Sequence, residues 1–116
     1  MTEKQFENKV KAFLKDQGCW YLKTWSNGVQ REGIPDLLIC CNGYFLAVEL
    51  KAPRGTVKPL QKHEIRKIRD AEGLAFPLYP DQFEAFTRII KWLKTDRCDL
   101  ALTLQYQFKG MGRKNE

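Results

Sequence analysis

Two short apolar segments on either side of Asn42-Gly43 constrain the fold of this chain most strongly. Asn-Gly is the preferred dipeptide of a two-residue β-hairpin turn, so residues 35–41 and 44–51 are predicted to pair as antiparallel strands with Cys41 opposite Tyr44. Apart from a few charged residues, both faces of this hairpin carry apolar side chains. A hairpin that is apolar on both faces is predicted to lie centrally, between helices.

The same register places two carboxylates, those of Asp36 and Glu49, directly opposite each other. Opposed Cβ atoms lie roughly 4.5 to 5.5 Å apart, and like charges at that distance need compensation. Lys51 follows Glu49 by two residues, so strand alternation points it to the same side. Carboxylate oxygens suit Mg²⁺ or Mn²⁺, and a lysine beside them can orient an attacking water, which is a hydrolytic arrangement for a phosphodiester. The structural alternative is an ion triad at the end of the sheet.

The motif around these residues is specific. Gly33-Ile34-Pro35-Asp36 is followed, after twelve residues, by Glu49-Leu50-Lys51-Ala52-Pro53-Arg54-Gly55. This pattern resembles the PD-(D/E)XK nuclease signature, and the VRR-NUC branch of that superfamily in particular. The similarity runs from the first helix to about Tyr79.

The resemblance implies an α/β fold with an αβββαβ core, in which helices flank a mixed central sheet. It also implies that Asp36, Glu49 and the backbone carbonyl of Leu50 bind a divalent metal, Mg²⁺ or Mn²⁺, and that Lys51 assists the attacking water. These roles agree with the hairpin register.

Two further catalytic candidates follow from the resemblance. The family's first acidic residue lies on the first helix, where Glu7 is the matching position and Glu3 the alternative; it would bind the metal directly or through water. The other interpretation of Glu7 is a solvated acid near a helix N-terminus. Gln61 matches a glutamine that the family places near the active site, although it could also be a boundary residue with satisfied hydrogen bonds.

The remaining elements follow from periodicity and from helix start and stop signals. The predicted elements are a helix at 3–17 capped by Thr2, a strand at 19–25, a loop at 26–33, a helix at 58–72, a strand at 74–79, a helix at 80–94 and a late strand at 100–108. Residues 1–108 are expected to form one nuclease domain, and residues 109–116 a flexible basic tail.

Charge favours a polyanionic partner, since 20 Lys and Arg against 14 Asp and Glu give a net charge of +6. The candidate DNA-binding residues are Lys23, Trp25, Ser26, Arg31, Arg54, Lys58 and Lys62. For the lysines of the second helix, a solvated face is the alternative. Four cysteines without a C-x-x-C pair and a single histidine provide no zinc framework. No segment is long and apolar enough for a membrane span, so a cytoplasmic, nucleoid-associated protein is expected.

Together with the acidic pair and Lys51, the resemblance implies a phage-encoded or bacterial metal-dependent endonuclease that is selective for DNA structure. It would cut four-way (Holliday) junctions or other branched DNA as a homodimer, because small stand-alone members of the VRR-NUC branch are associated with that activity. The predicted dimer interface is the segment 100–108 or the third helix. A catalytically idle nucleic-acid-binding module, or a nuclease acting on flaps, linear ends or RNA, stays open.

Overall fold

The computed structural model describes residues 1–25 and 31–112 and contains a four-stranded mixed sheet with helices on both faces. In chain order the elements are α1 (Glu3–Asp16), β1 (Trp20–Lys23), β2 (Leu37–Cys41), β3 (Tyr44–Leu50), α2 (Pro59–Asp70), β4 (Leu74–Leu78), a 3-10 turn (Pro80–Gln82), α3 (Phe83–Lys94) and α4 (Cys98–Gln105). The strand order is β1-β2-β3-β4. The first two pairs are antiparallel and β3-β4 is parallel. The predicted fold class is confirmed.

The central hairpin has the predicted register. Cys41 lies opposite Tyr44, and the β2-β3 ladder ends with Leu37 opposite Val48. The turn residue Asn42 has φ 51°, and the glycine after it has φ 85°, as a type I′ turn requires. Beyond the ladder, the next pair in this register is Asp36 and Glu49, the two carboxylates that are predicted to face each other.

The main core lies between the sheet and the helices α1 and α3. Its members with no exposed surface are Phe6, Val10, Leu14, Leu37, Ile39, Leu46, Val48, Phe76, Leu78, Phe86, Ile89, Ile90, Leu93 and Ala101. The aromatic face of α3 is therefore used inside the molecule, so it is not a free surface for dimerisation. Edge-to-face contacts such as Phe13–Phe86 and Phe76–Phe86 add to this packing.

The opposite face of the sheet is only partly covered, because α2 packs over the β3-β4 side. Ala47, Ile65, Ala75 and Met111 form a small second core there. Towards β1 the same face is open, and Phe45 is 46% exposed. The prediction that both faces of the hairpin are buried therefore holds at the end of the sheet near the carboxylates and is wrong at the turn end.

The predicted late strand at 100–108 is wrong, because this segment begins with the helix α4. Ala101 and Gln105, one helical turn apart, both face the interior. The outer edge of β4, where another strand would pair, is already occupied by side chains. Gln105 Oε1 accepts a hydrogen bond from the backbone N–H of Ala75 at 3.0 Å, and Arg69 Nε donates to the Ala75 carbonyl at 2.7 Å. An alternating apolar pattern cannot form a strand where no edge is available.

The sequence predicts a flexible tail from residue 109 onward, and in the structure two residues of this segment contact the domain. Lys109 Nζ lies 2.7 Å from Asp81 Oδ2, and the Met111 carbonyl accepts from Arg66 at 3.3 Å. The rest of the predicted tail, residues 113–116, lies outside the described residues. In the described part of the chain, no helix has the length and apolar character needed to cross a membrane.

Candidate active site

The carboxylates of Asp36 and Glu49 meet at the end of the β2-β3 hairpin, on the α2 side of the sheet. Asp36 Oδ2 accepts a hydrogen bond from the backbone N–H of Leu50 at 2.9 Å, which holds this carboxylate across the strand end. Glu49 is only 4% exposed, since it lies in the last part of a buried strand. The site is therefore set by strand register.

Gln61, at the start of α2, connects Glu49 to Lys51. Its Nε2 donates to Glu49 Oε2 at 3.0 Å, and its Oε1 accepts from Lys51 Nζ at 2.9 Å. The same Oε1 also accepts from the backbone N–H of Lys58 at 2.9 Å, so the amide is fixed at three points. Lys51 Nζ lies 3.6 Å from Glu49 Oε2 and is itself buried. The structure thus brings together Asp36 and these three predicted catalytic residues.

The carboxyl of Glu49 is electrostatically strained. Burial and the nearby charge of Asp36 raise its pKa to about 8, although Lys51 acts in the opposite direction. Among residues 1–25 and 31–112, its buried Oε1 has no hydrogen-bond partner. A buried polar oxygen without a partner is unfavourable and calls for an explanation. A cation bound beside Asp36 would supply the missing interaction.

Glu7 lies on the buried side of α1, which begins at a capping box formed by Thr2 and Gln5. Three ammonium groups surround its carboxylate: Lys4 at 3.1 Å, Lys11 at 2.7 Å and Lys23 at 3.1 Å. Burial alone would raise the pKa of Glu7, but hydrogen bonds from these lysines outweigh it and lower the pKa to about 2.

Glu7 and Asp36 are connected through Lys23, whose ammonium also lies 3.5 Å from Asp36 Oδ1. Among residues 1–25 and 31–112, no group of three or more acidic, histidine or cysteine side chains is assembled for a metal ion. The structure therefore places Glu7 next to the acidic pair but not in contact with it. The alternative residue, Glu3, is exposed at the start of α1.

The predicted DNA-binding residues have different surroundings. Lys23 is part-buried among carboxylates, whereas Trp25 is 72% exposed. Arg54 and Lys58 are exposed, and Lys62 is half-buried; Ser26 lies outside the described residues. The candidates thus include one lysine that belongs to the site itself and several exposed side chains around it.

The loop before Asp36 is attached to α2 at two points. Gly33 has φ +90°, and a Cβ atom at this position would lie 2.5 Å from the carbonyl oxygen of Leu60. Arg31 Nε donates to the buried carboxylate of Glu64 at 2.7 Å. These contacts, which the sequence did not predict, fix the path of the chain into Asp36. The glycine was visible in the motif, but its contact with α2 requires the tertiary structure.

A groove of about 530 Å³ runs beside these contacts and reaches the site. Its lining residues are Glu32, Gly33, Lys58, Pro59, Leu60 and Gln61. On the other side of Lys51, the Gly55 carbonyl accepts a hydrogen bond from the Tyr79 hydroxyl at 2.8 Å. This contact fixes the loop that carries Arg54. The groove exposes the Gln61 side of the site to solvent, and the exposed Lys58 is one of its lining residues.

A mixed sheet flanked by helices, with an acidic pair at the end of its central hairpin and a lysine two residues after the second acid, is the architecture of a PD-(D/E)XK-type nuclease. The model of the archaeal Holliday junction resolvase family (Hjc) matches residues 2–72, which is more than half of the chain. The chain belongs to this family and is therefore a nuclease, a hydrolase acting on DNA. A search of curated proteins found no match.

Proposed function

We propose that this protein is a divalent-metal-dependent endonuclease that cuts four-way (Holliday) DNA junctions, with Asp36 and Glu49 as metal ligands. The observation that supports metal binding best is the buried Glu49 Oε1, which belongs to a carboxylate pair and has no hydrogen-bond partner in the part of the chain that the structure describes. Mg²⁺ and Mn²⁺ bind carboxylate oxygens, so Asp36 and Glu49 are suitable ligands for such an ion. When bound, such an ion stabilises negative charge on a phosphodiester and promotes ionisation of water.

The side chains around this pair have roles that follow from their contacts. Gln61 holds the ammonium of Lys51 in a fixed position, from which Lys51 would orient the attacking water and stabilise charge on the phosphate. The carbonyl of Leu50 remains a proposed ligand, since its residue lies between Glu49 and Lys51. Glu7 is proposed to act on the metal through water, because it does not contact the acidic pair.

DNA binding is proposed to depend on the phosphate backbone and on shape. Arg54 and Lys58 are exposed beside the site and suit the strand that is cut. Trp25 offers an exposed ring on which an unpaired base could stack. Arg31 holds the chain before Asp36 on α2. Ser26 stays a predicted DNA contact that lies outside the described residues. We propose that the protein acts in the cytoplasm of a bacterial or phage-infected cell, because its DNA substrate is found there, at the nucleoid.

We further propose that the protein acts as a homodimer, because resolving a junction needs two cuts and the described residues of each chain form one such site. The predicted interfaces, 100–108 and α3, supply mainly buried apolar groups. An exposed apolar patch lies elsewhere, on the open face of the sheet. Trp20 and Phe45 flank the exposed Cys40 in the sheet register, and Leu22 lies on the same face. This patch, rather than α3, is the surface that we propose for a second copy.

The activity is tested by incubating the protein with four-way junction, flap and linear duplex DNA in Mg²⁺, Mn²⁺ or EDTA. We expect metal-dependent cleavage of the junction with paired opposed cuts. D36N, E49Q and K51A should lose nearly all cleavage while still binding the junction, since other residues contact phosphate. D70N is the matched control, because Asp70 is an exposed acid at the far end of α2 and should cut like wild type.

The other outcomes separate the alternatives. Junction binding without cleavage under any metal would indicate a catalytically idle binding module. Preferential cutting of flaps, linear ends or RNA would replace the junction as substrate. A monomer mass in light scattering at micromolar protein, with and without junction DNA, would contradict the dimer. If the patch around Trp20 is the interface, W20E should convert the dimer to a monomer. The narrower resemblance to the VRR-NUC branch stays a prediction.

A further inference from the structure

The ammonium of Lys23 lies between two carboxylates that belong to different elements of the fold. Its Nζ is 3.1 Å from Glu7 Oε1 on α1 and 3.5 Å from Asp36 Oδ1 at the sheet end. We propose that Lys23 is a built-in cation of the metal-free site, which holds these carboxylates together and must leave when a divalent ion binds there. This inference rests on the proposed metal-dependent function and makes Lys23 a positioning residue that sets metal affinity.

The backbone fixes Lys23 in this place. In the β1-β2 ladder Lys23 lies opposite Leu37, so it is adjacent to Asp36 across the strands. Immediately after it, the N–H of Thr24 donates to the Asp36 carbonyl at 2.8 Å, and the Thr24 hydroxyl donates to the Pro35 carbonyl at 2.8 Å. The end of β1 is thus bonded to the chain that carries the acid, and its lysine points towards both carboxylates.

The arrangement of individual oxygens distinguishes Lys23 from the other lysines around Glu7. Lys4 and Lys11 both contact Oε2, whereas Lys23 contacts Oε1. Asp36 Oδ2 is used by a backbone N–H, which leaves Oδ1 for Lys23. In the described residues, Lys23 is therefore the side-chain cation that bridges the two acids. A divalent ion that bound Asp36 through Oδ1 would compete with this ammonium for the same oxygen.

Displacing Lys23 reduces the net affinity for the metal. Each part-exposed ion pair that is broken weakens binding by a factor of up to about five. The lysine side chain is flexible, so its ammonium can move into solvent or towards a phosphate without moving β1. Removing the charge at position 23 should therefore strengthen metal binding by about three- to tenfold.

The test is Mn²⁺ binding measured by isothermal titration calorimetry, and by the electron paramagnetic resonance signal of free Mn²⁺, on wild type, K23M and K11M. K23M should bind Mn²⁺ about three- to tenfold more tightly than wild type. K11M is the matched control, since it removes one lysine contact to Glu7 and the same charge but leaves the Lys23 bridge in place; it should stay within about twofold of wild type. K23Q, which keeps a polar donor, is a second variant that should show the same direction.

Two outcomes would overturn the inference in different ways. If D36N abolishes Mn²⁺ binding, but K23M and K23Q bind no more tightly than wild type or than K11M, the role of Lys23 is wrong and the metal site stands. If wild type and K23M show no binding that depends on Asp36, the proposed metal site is wrong, and the inference falls with it.

Discussion

Replacing Glu49 by glutamine should make the stability of the metal-free protein less dependent on pH. Burial and the charge of Asp36 raise the pKa of Glu49 to about 8, so the folded protein keeps a proton that the unfolded chain loses above about pH 4.5. The folded state therefore binds more protons across this window, and the free energy of unfolding falls as pH rises. In E49Q this titrating carboxyl is absent from both the folded and the unfolded state, so its contribution to the pH dependence disappears.

The size of the effect follows from the linkage relation. One proton corresponds to a change of about 1.4 kcal/mol in the free energy of unfolding per pH unit. Between pH 5.5 and 7.5, wild type should therefore lose roughly 2–3 kcal/mol relative to E49Q. The titration of Cys41, whose pKa is raised to about 12 by burial and by the Cys19 thiol, lies above this window.

The assay is urea unfolding at pH 5.5, 6.5 and 7.5 in EDTA, followed by circular dichroism. E7Q is the control, because the lowered pKa of Glu7, about 2, means that its stabilising contribution is present above about pH 4.5 and is lost only in more acidic solution. E7Q should lower the unfolding free energy by the same amount at each of these three pH values. Parallel curves for wild type and E49Q would refute the reasoning about Glu49.

Two further predictions concern how the site and the sheet edge are held. Gly33→Ala should destabilise the protein by about 2–4 kcal/mol and reduce cleavage, because a Cβ would lie 2.5 Å from the Leu60 carbonyl oxygen at a positive φ. Gly18→Ala, with φ +73° and nothing within 4 Å, should lose only about 1 kcal/mol, and equal losses in urea melts would contradict the close-contact argument. Gln105→Ala should lower stability by about 1–3 kcal/mol, since it leaves the N–H of Ala75 unpaired at the edge of β4. Hydrogen exchange of that amide should accelerate, and unchanged protection would argue against the bond.

The sequence by itself determined the central hairpin and the residues that it aligns. Asn-Gly fixes a two-residue turn, and the turn fixes the register, so the pairing of Asp36 with Glu49 and the side taken by Lys51 followed from local rules. The nuclease class also followed, because its motif is short and lies along this hairpin. The hairpin register does not predict the place of Gln61 near the active site, which was predicted from the family resemblance.

Tertiary structure decided what depends on segments that are distant in the chain. The β1-β2 register is not set by a short turn, so nothing local could show that Lys23 would lie between Glu7 and Asp36 rather than at a DNA surface. The alternating pattern at 100–108 was compatible with a strand, but the edge of β4 is occupied by Gln105 and Arg69, and the segment begins with a helix. Patterns in sequence specify which face of an element is apolar, whereas the free edges and the neighbouring charges exist only after the chain has folded.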